Sequence, residues 1–421
     1  MTAPAVLFRN ARILDATGRE PFAGDVLVRG NRVAEVAAEG ASALAAGGAL
    51  AVDCGGATLM PGLIESHAHL SFADAARSVE MGFIPPEEHM LLTERNAGKM
   101  LDQGFTSCFS AASAKPRLDV VLRNAVSAGE FPGPRLLAAS PELTVTAGLG
   151  DVRLGHMYRE NFAIVCDGAD MFRRVAREMV REGVDTLKIN VSGDAGTRAS
   201  PARTTVVTEA ELDAVCEVAR AHEKRVAAHA RSAVAVKLCV KHGVDVIYHA
   251  TLCDDDALAA LESARDRVFV APTLGHLYAT LHEAKPWGVP DSPAAARVLE
   301  EELAAGIQAM KALVQRGVRV LPGGDYGFAW NPIGANARDI AHFVELLGMP
   351  PMQAIVAATR LGAELMGLGG ELGTIRAGQL ADLIVVEGDP LADPAVLRDR
   401  GRIVAVMKDG HFHRHSLRAA R

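Results

Sequence analysis

The chain predicts an α/β architecture, a (β/α)8 barrel over residues 58–368 with a small composite β-sandwich built from residues 1–57 and 369–421. Three observations lead there. Roughly eight short apolar runs alternate with amphipathic stretches through the middle of the chain, as parallel strands buried on both faces require. Both ends alternate apolar and polar residues at period two, the mark of half-exposed strands. Six residues suited to a metal site, His67, His69, Lys188, His229, His249 and Asp325, stand at or just past the ends of the central apolar runs.

At the N-terminal end, AVLFRNARIL, GDVLVRGNRVAEVA and ALAVDCGGATL read as short strands joined by turns such as Arg29-Gly30-Asn31. GTIRAGQLADLIVVEGD and GRIVAVMKDGHF return to that style at the other end, so both termini are expected to share one β-domain. The central strand candidates are TLMPGLIESH, FTSCFS, RLLAAS, VDTLKIN, RVAAHA, VDVIYHA, VFVAPTL and VRVLPGGD. Helices are predicted over 167–182, capped by Asp167, and over 208–222, where Thr208 and Glu211 form a capping box. An open doubly wound sheet is the alternative arrangement. Two long connections, about 141–166 and 275–300, are expected to be loops carrying substrate contacts.

Composition narrows the function. With 421 residues and 49% apolar content the chain can bury a large core, and its net charge of -7 gives no reason to expect nucleic acid or a membrane as partner. Arg9 and Asp15 interrupt the N-terminus before a signal or spanning segment can form. Cys54, Cys108, Cys166, Cys216, Cys239 and Cys253 contain no C-x-x-C pair and read as reduced thiols of a cytoplasmic protein. The expected partner is a small-molecule substrate, and the expected state a homo-oligomer.

His67 and His69, two apart at a strand end, project to the same side, and two neutral imidazoles make half of a tetrahedral zinc site. Lys188 interrupts an otherwise apolar strand. An ammonium, with a free pKa of about 10.4, is a poor ligand, yet burial beside dications favours the neutral amine. That amine can add carbon dioxide to give a carbamate whose two oxygens bridge two metals, which Arg could not do. His229 and His249 end successive strands and offer ligands for a second metal. Asp325 follows two glycines that allow close backbone approach, and a carboxylate there can bind a metal and accept a proton. Taken singly, each residue also has a plain reading as a polar strand end.

In MPGLIESHAHL, the LKI strand, the AH and YHA strand ends, the GGD and the tail GMPPMQAIVAATRLGAELMGLGGELGTIRAGQLADLIVVEGDPL, the chain resembles the amidohydrolase superfamily. The resemblance is to its binuclear branch with a carboxylated lysine, and to imidazolonepropionase-like and prolidase-like members in particular. It implies two divalent metals, zinc in the first instance. His67, His69 and Asp325 would hold one and His229 and His249 the other, with N6-carboxylysine at Lys188 shared and Asp325 moving the proton. C–N bond hydrolysis of an amide, urea or carbamate follows, an N-acyl amino acid or aryl amide being among the candidates. Prolidase-like relatives carry T-G-G-H-G-D where this chain has Thr146-Ala147-Gly148-Leu149-Gly150-Asp151, so His156 is the candidate replacement for the lost histidine. Arg231 stands where relatives carry Tyr or His. It either grips a substrate carboxylate or begins the next helix with a surface charge. The aromatic stretch holding Tyr326, Trp330 and Asn331 resembles that of aryl-urea and thiocarbamate hydrolases, and a core role is its plain alternative. The terminal HFHRH reads as a surface feature.

Two other functions compete. A one-metal deaminase would need a glutamate near the fifth-strand histidine, and AAHARSAV has none. A non-catalytic assembly protein would have lost ligands, and none is missing here.

Overall fold

The computed structural model describes residues 5–39, 47–157, 160–195, 197 and 199–420. Strands β1 (Val6–Ile13), β2 (Phe22–Arg29), β3 (Arg32–Ala38), β4 (Leu50–Asp53) and β5 (Thr58–Pro61) open the chain. The barrel follows as β6 (Leu63–Ala68), β7 (Phe105–Ser110), β8 (Arg135–Leu137) running on into β9 (Ala139–Thr144), with β10 (Ala163–Val165) laid beside β9. It continues through β11 (Thr186–Asn190), β12 (Arg225–Ser232), β13 (Val246–Leu252), β14 (Phe269–Ala271) and β15 (Arg319–Val320). These strands pair in parallel around a TIM-type barrel, and β6, β7 and β11 are buried at every position.

Between the strands lie α1 (Pro86–Asp102), α2 (Leu118–Ala128), α3 (Ala169–Glu182), α4 (Glu209–Ala221), α5 (Ala233–His242), α6 (Asp255–Ser263), α7 (Leu274–His282) and α8 (Pro293–Gln315). α3 buries Phe172, Val175, Ala176 and Met179, a stripe at spacings of three and four that faces the sheet. The capping box between Thr208 and Glu211 opens α4 as expected. Asp167 does not cap α3. Its carboxylate is taken by the amide and hydroxyl of Thr146, and the helix starts after Gly168 with no side-chain cap.

Two other expectations change. TLMPGLIESH is two strands: β5 joins the terminal sheet and β6 the barrel. The chain turns between them at Gly62, where a Cβ would lie 2.1 Å from Thr106 Oγ1. The span 275–300 is largely helical, holding α7, a short 3-10 turn and the start of α8, which Ser292 caps ahead of Pro293. Leu274 and Leu277 recur at helical spacing in α7 and are buried, so the segment packs as a helix and still faces the barrel mouth.

The C-terminal strands β16 (Leu383–Val386), β17 (Ile403–Lys408), β18 (His411–His415) and β19 (Arg418–Ala419) complete a nine-stranded sheet with the N-terminal ones. Its order is β18-β17-β16-β5-β1-β2-β3, with β4 on β1 and β19 on β4. This β-sandwich domain has its own core around Phe8, Ile13, Val26, Leu59, Leu383, Val385 and Met407. In HFHRH, His413 bonds Asp102 at the end of α1, while His411 and His415 are exposed. No helix among the described residues is long and apolar enough to cross a membrane.

A polar joint locks the sandwich to the barrel. Arg135 on β8 donates to Asp409 at 2.6 Å and approaches the buried Asp382 at 3.5 Å, and Asp382 also accepts from the Asp409 amide. Asp382→Ala strands part of this buried charge and is expected to lower stability by about 2 kcal/mol in urea unfolding, since removing one partner of a buried pair is destabilising. An unchanged midpoint would show that the joint contributes nothing.

Candidate metal centre

All six strand-end residues border one cavity of ≈ 720 Å³ at the C-terminal mouth of the barrel, where this fold places its chemistry. His67 and His69 leave β6 side by side with Nε2 atoms 3.1 Å apart, and Asp325 Oδ1 lies 3.5 Å from the first and 3.1 Å from the second. These three donor atoms lie within 4.8 Å of one another and could hold one cation. Opposite them, the His229 and His249 rings are 4.2 Å apart, and the His67 and His249 rings 5.5 Å. Lys188 Nζ sits 4.6 Å over the Tyr248 ring.

The second nitrogen of three imidazoles is tied down, leaving the other to face a cation. His69 Nδ1 meets Ala112 O at 3.1 Å, His229 Nε2 meets Gly193 O at 2.9 Å, and His249 Nδ1 meets Thr273 Oγ1 at 2.5 Å. His67 differs. Its Nδ1 is buried without a partner, and its ring is held by Tyr248 at 3.9 Å while its amide donates to Glu65.

The backbone here is costly. His249, Thr273 and Asp325 adopt φ of 71°, 57° and 56°, left-handed values that side-chain-bearing residues avoid at about 1–3 kcal/mol each. Gly323 and Gly324 permit the last of these. A Cβ on Gly323 would stand 3.0 Å from the His67 Cβ, and one on Gly324 only 1.8 Å from Asp339 Oδ2.

Burial sets the protonation. It drives His67 and His249 well below the usual imidazole range and His229 down to about 3, with nearby cationic groups adding to the effect. Burial likewise lowers Lys188 toward the neutral amine, only partly opposed by Glu142 and Asp325. For Asp325, burial alone would raise the carboxyl, but His67 and His69 outweigh it and hold it well below the carboxylate range.

The expected substrate contacts fare differently. Trp330 borders the cavity, its indole N–H held by Thr280 Oγ1 at 2.9 Å. Tyr326 and Asn331 do not border it among the described residues. Tyr326 is buried with its hydroxyl on Asp339, and Asn331 donates to the carbonyls of Gly324 and Asp325, fixing the ligand loop from behind. His156 is exposed and does not border the cavity among the described residues. Arg231 is not a surface charge, and it does not border the cavity among the described residues. It is fully buried, with Nε on Asp194 and Nη1 on Glu302 of α8, both at 2.7 Å. Phe328 of the same aromatic stretch also borders the cavity, whereas reasoning from sequence missed Phe72, Glu142, Phe162 and His276, which line it. His276 alone carried a signal, standing just past the seventh apolar run as the ligands stand past theirs.

A model of the amidohydrolase family matches residues 58–412. The chain belongs to the amidohydrolase family. This amidohydrolase is 24% identical over 372 residues to ochratoxinase of Aspergillus niger, covering 84% of this chain and 75% of that one. Its structure superposes on a prolidase complexed with N-methylphosphonate-L-proline, at TM-score 0.86 and 28% identity over 98% of this chain and 100% of the other. Phenylurea hydrolase B shares the fold, at TM-score 0.77 and 22% identity over 97% and 96%. The chain is therefore a hydrolase acting on carbon–nitrogen bonds.

The close approach at Gly324 gives a test of how this amidohydrolase holds its ligand loop. Gly324→Ala must displace Asp339 or Tyr326 and is expected to cost about 2 kcal/mol by overpacking, read by chemical denaturation. Gly370→Ala, where a Cβ meets nothing within 4 Å, serves as control. Equal midpoints for the two variants would show that the loop has room to spare.

Proposed function

We propose that this amidohydrolase is metal-dependent and cleaves an amide, urea or carbamate bond in a small molecule with an apolar, aryl-bearing side. The observation that carries the reading is the convergence of His67, His69, His229, His249, the buried Lys188 and Asp325 on one cavity that Phe72, Phe162, Phe328 and Trp330 also border. The donor set suits two divalent ions, zinc first among them: one held by His67, His69 and Asp325, the other by His229 and His249. Lys188, carboxylated, would lie between them. Ions bound there supply a hydroxide at neutral pH and polarise the scissile carbonyl.

The chain's own groups do the rest. Lys188 is buried and biased toward its neutral form, and a neutral amine adds carbon dioxide with loss of one proton to give the carbamate. Asp325 stays ionised, so its carboxylate can take the proton of the attacking water and return it to the departing nitrogen. Phe72, Phe328 and Trp330 give an apolar wall that excludes water and accepts a flat group. Leu149 also borders the cavity, in the place where prolidase-like relatives carry histidine, so its contribution is apolar contact rather than a polar grip. The named relatives support such a substrate range in kind: ochratoxinase and prolidase by sequence or structure, phenylurea hydrolase by fold. A cytoplasmic location suits the six unpaired thiols.

Elemental analysis of the purified protein, with intact mass or density at Lys188, tests the reading. Two metals per chain and a labile addition on the lysine are expected. About one metal with an unmodified amine would overturn the binuclear site. Lys188→Ala is expected to lower turnover about 100-fold or more, as loss of an orienting or bridging ligand does, and short carboxylic acids should restore part of it. Wild-type turnover in that variant would remove the carbamate. A panel of N-acyl amino acids, aryl amides, ureas and carbamates identifies the scissile group.

A further inference from the structure

α7 presents His276, Leu277 and Thr280 to the cavity, with His276 and Thr280 four residues apart on one face. Thr280 is already engaged, holding the Trp330 indole. His276 is not engaged. Its ring lies 4.7 Å from Phe328 and 6.4 Å from Trp330, in the middle of the aromatic wall. Nδ1 is sealed from solvent with no hydrogen-bond partner, whereas Nε2 is not so enclosed. An orphaned lone pair is easier to bury than an orphaned N–H, which places the ring proton on Nε2. Burial lowers the imidazole's pKa, so the ring is neutral and offers one donor.

The helix carrying it is fixed in place. Thr273, one residue before α7, bonds His249, and the Gly275 amide bonds Asp339 at 3.0 Å. A Cβ on Gly275 would stand 2.6 Å from Asp339 Oδ2, so the first turn is pressed against its support. The segment that orients one histidine of the metal centre therefore also orients His276, and an unpaired donor among aromatic rings is matched by a ligand that brings both a ring and an acceptor.

Resting on the reading of the cavity as a site for aryl-bearing substrates, we propose that His276 is a specificity-determining residue. Its Nε2–H donates to an uncharged acceptor, a carbonyl or hydroxyl oxygen, carried on the aryl group that packs against Phe328 and Trp330. The preferred substrate class is then aryl amides with a ring-borne oxygen acceptor. Such amides should be taken in preference to plain aryl amides of the same shape. The role is in binding, so it is expected in KM and not in kcat.

The test uses the metal-loaded full chain and N-benzoyl amino acids in matched pairs, one bearing an acetyl and the other the near-isosteric isopropyl at each ring position. Wild type should favour the acetyl member at one or more positions. His276→Phe should raise KM for that member about tenfold, the scale of one neutral hydrogen bond, and leave the isopropyl member within about threefold, with kcat held. His276→Gln, whose amide N–H reaches near the Nε2 position, should recover part of the loss. Equal KM changes in both members, or a kcat loss shared by both, would overturn the proposal. Unchanged melting temperature and metal content in the variants separate a lost contact from a lost fold. If wild type cleaves neither member of any pair, the aryl-amide reading of the cavity fails and this proposal falls with it; if wild type cleaves both without preference and His276→Phe behaves likewise, only the role of His276 fails.

Discussion

Four imidazoles, an amine and a carboxylate share one low-dielectric mouth, and they can do so only while the nitrogens stay uncharged. Each proton added to one ring would stand within a few ångströms of the others, with Asp325 the carboxylate in contact with His67 and His69 to offset it. Burial enforces neutrality from the outset, which is why His67, His249 and Lys188 all shift toward their uncharged forms. It also leaves each ring a lone pair with nowhere to go in the protein, the condition a divalent cation satisfies. The bonds to Ala112, Gly193 and Thr273 then decide which nitrogen of His69, His229 and His249 is left over.

Much of the surrounding structure serves that arrangement. Left-handed backbone at His249, Thr273 and Asp325 persists because neighbours over-determine it: Asn331 grips the carbonyls of Gly324 and Asp325, and Asp339 grips both Tyr326 and Gly275. Beneath them, burial raises Glu65 to about 8, which favours its neutral form at pH 7, and raises Asp339 to about 6, where the carboxylate still accepts from the Tyr326 hydroxyl and the Gly275 amide. The sandwich domain contributes from further away. β5 and β6 are consecutive, joined only by Gly62, so the sheet built from both termini anchors the strand that delivers His67 and His69.

The parts of this design legible in the sequence were those written as period and position. Apolar runs ending in His, Lys or Asp marked the barrel and all six residues that meet at its cavity, because a strand end at a barrel mouth is a place that a linear pattern can mark. The capping box of Thr208 and Glu211 was legible for the same reason, being a local bond between residues three apart. What could not be read was long-range partnership. Asp167 looks like a helix cap until Thr146, on another strand's end, takes its carboxylate. Tyr326 and Asn331 sit close to Asp325 in sequence, and that proximity points them inward as supports, leaving Phe328 and Trp330 to face the cavity. The change from strand to turn at Gly62 depends on Thr106, more than forty residues away.

Arg231 shows how such partnership bears on substrate choice. A guanidinium two residues from His229 invites the idea of a carboxylate clamp, but this one is already paired with Asp194 on one side and Glu302 on the other. Releasing it to a ligand would strand the buried Glu302 and break the pair with Asp194 at the cavity edge, a penalty of several kcal/mol for the buried acid alone. Glu302 also accepts from Thr251, just past His249, so the network binds α8 to both strands that bear the second pair of histidines. Arg231 thus spends its charge on holding the barrel mouth together, and Leu149 adds an apolar contact where a polar one could have stood. Both features favour the proposed reading in which the aromatic side chains, rather than ionic groups, hold the substrate.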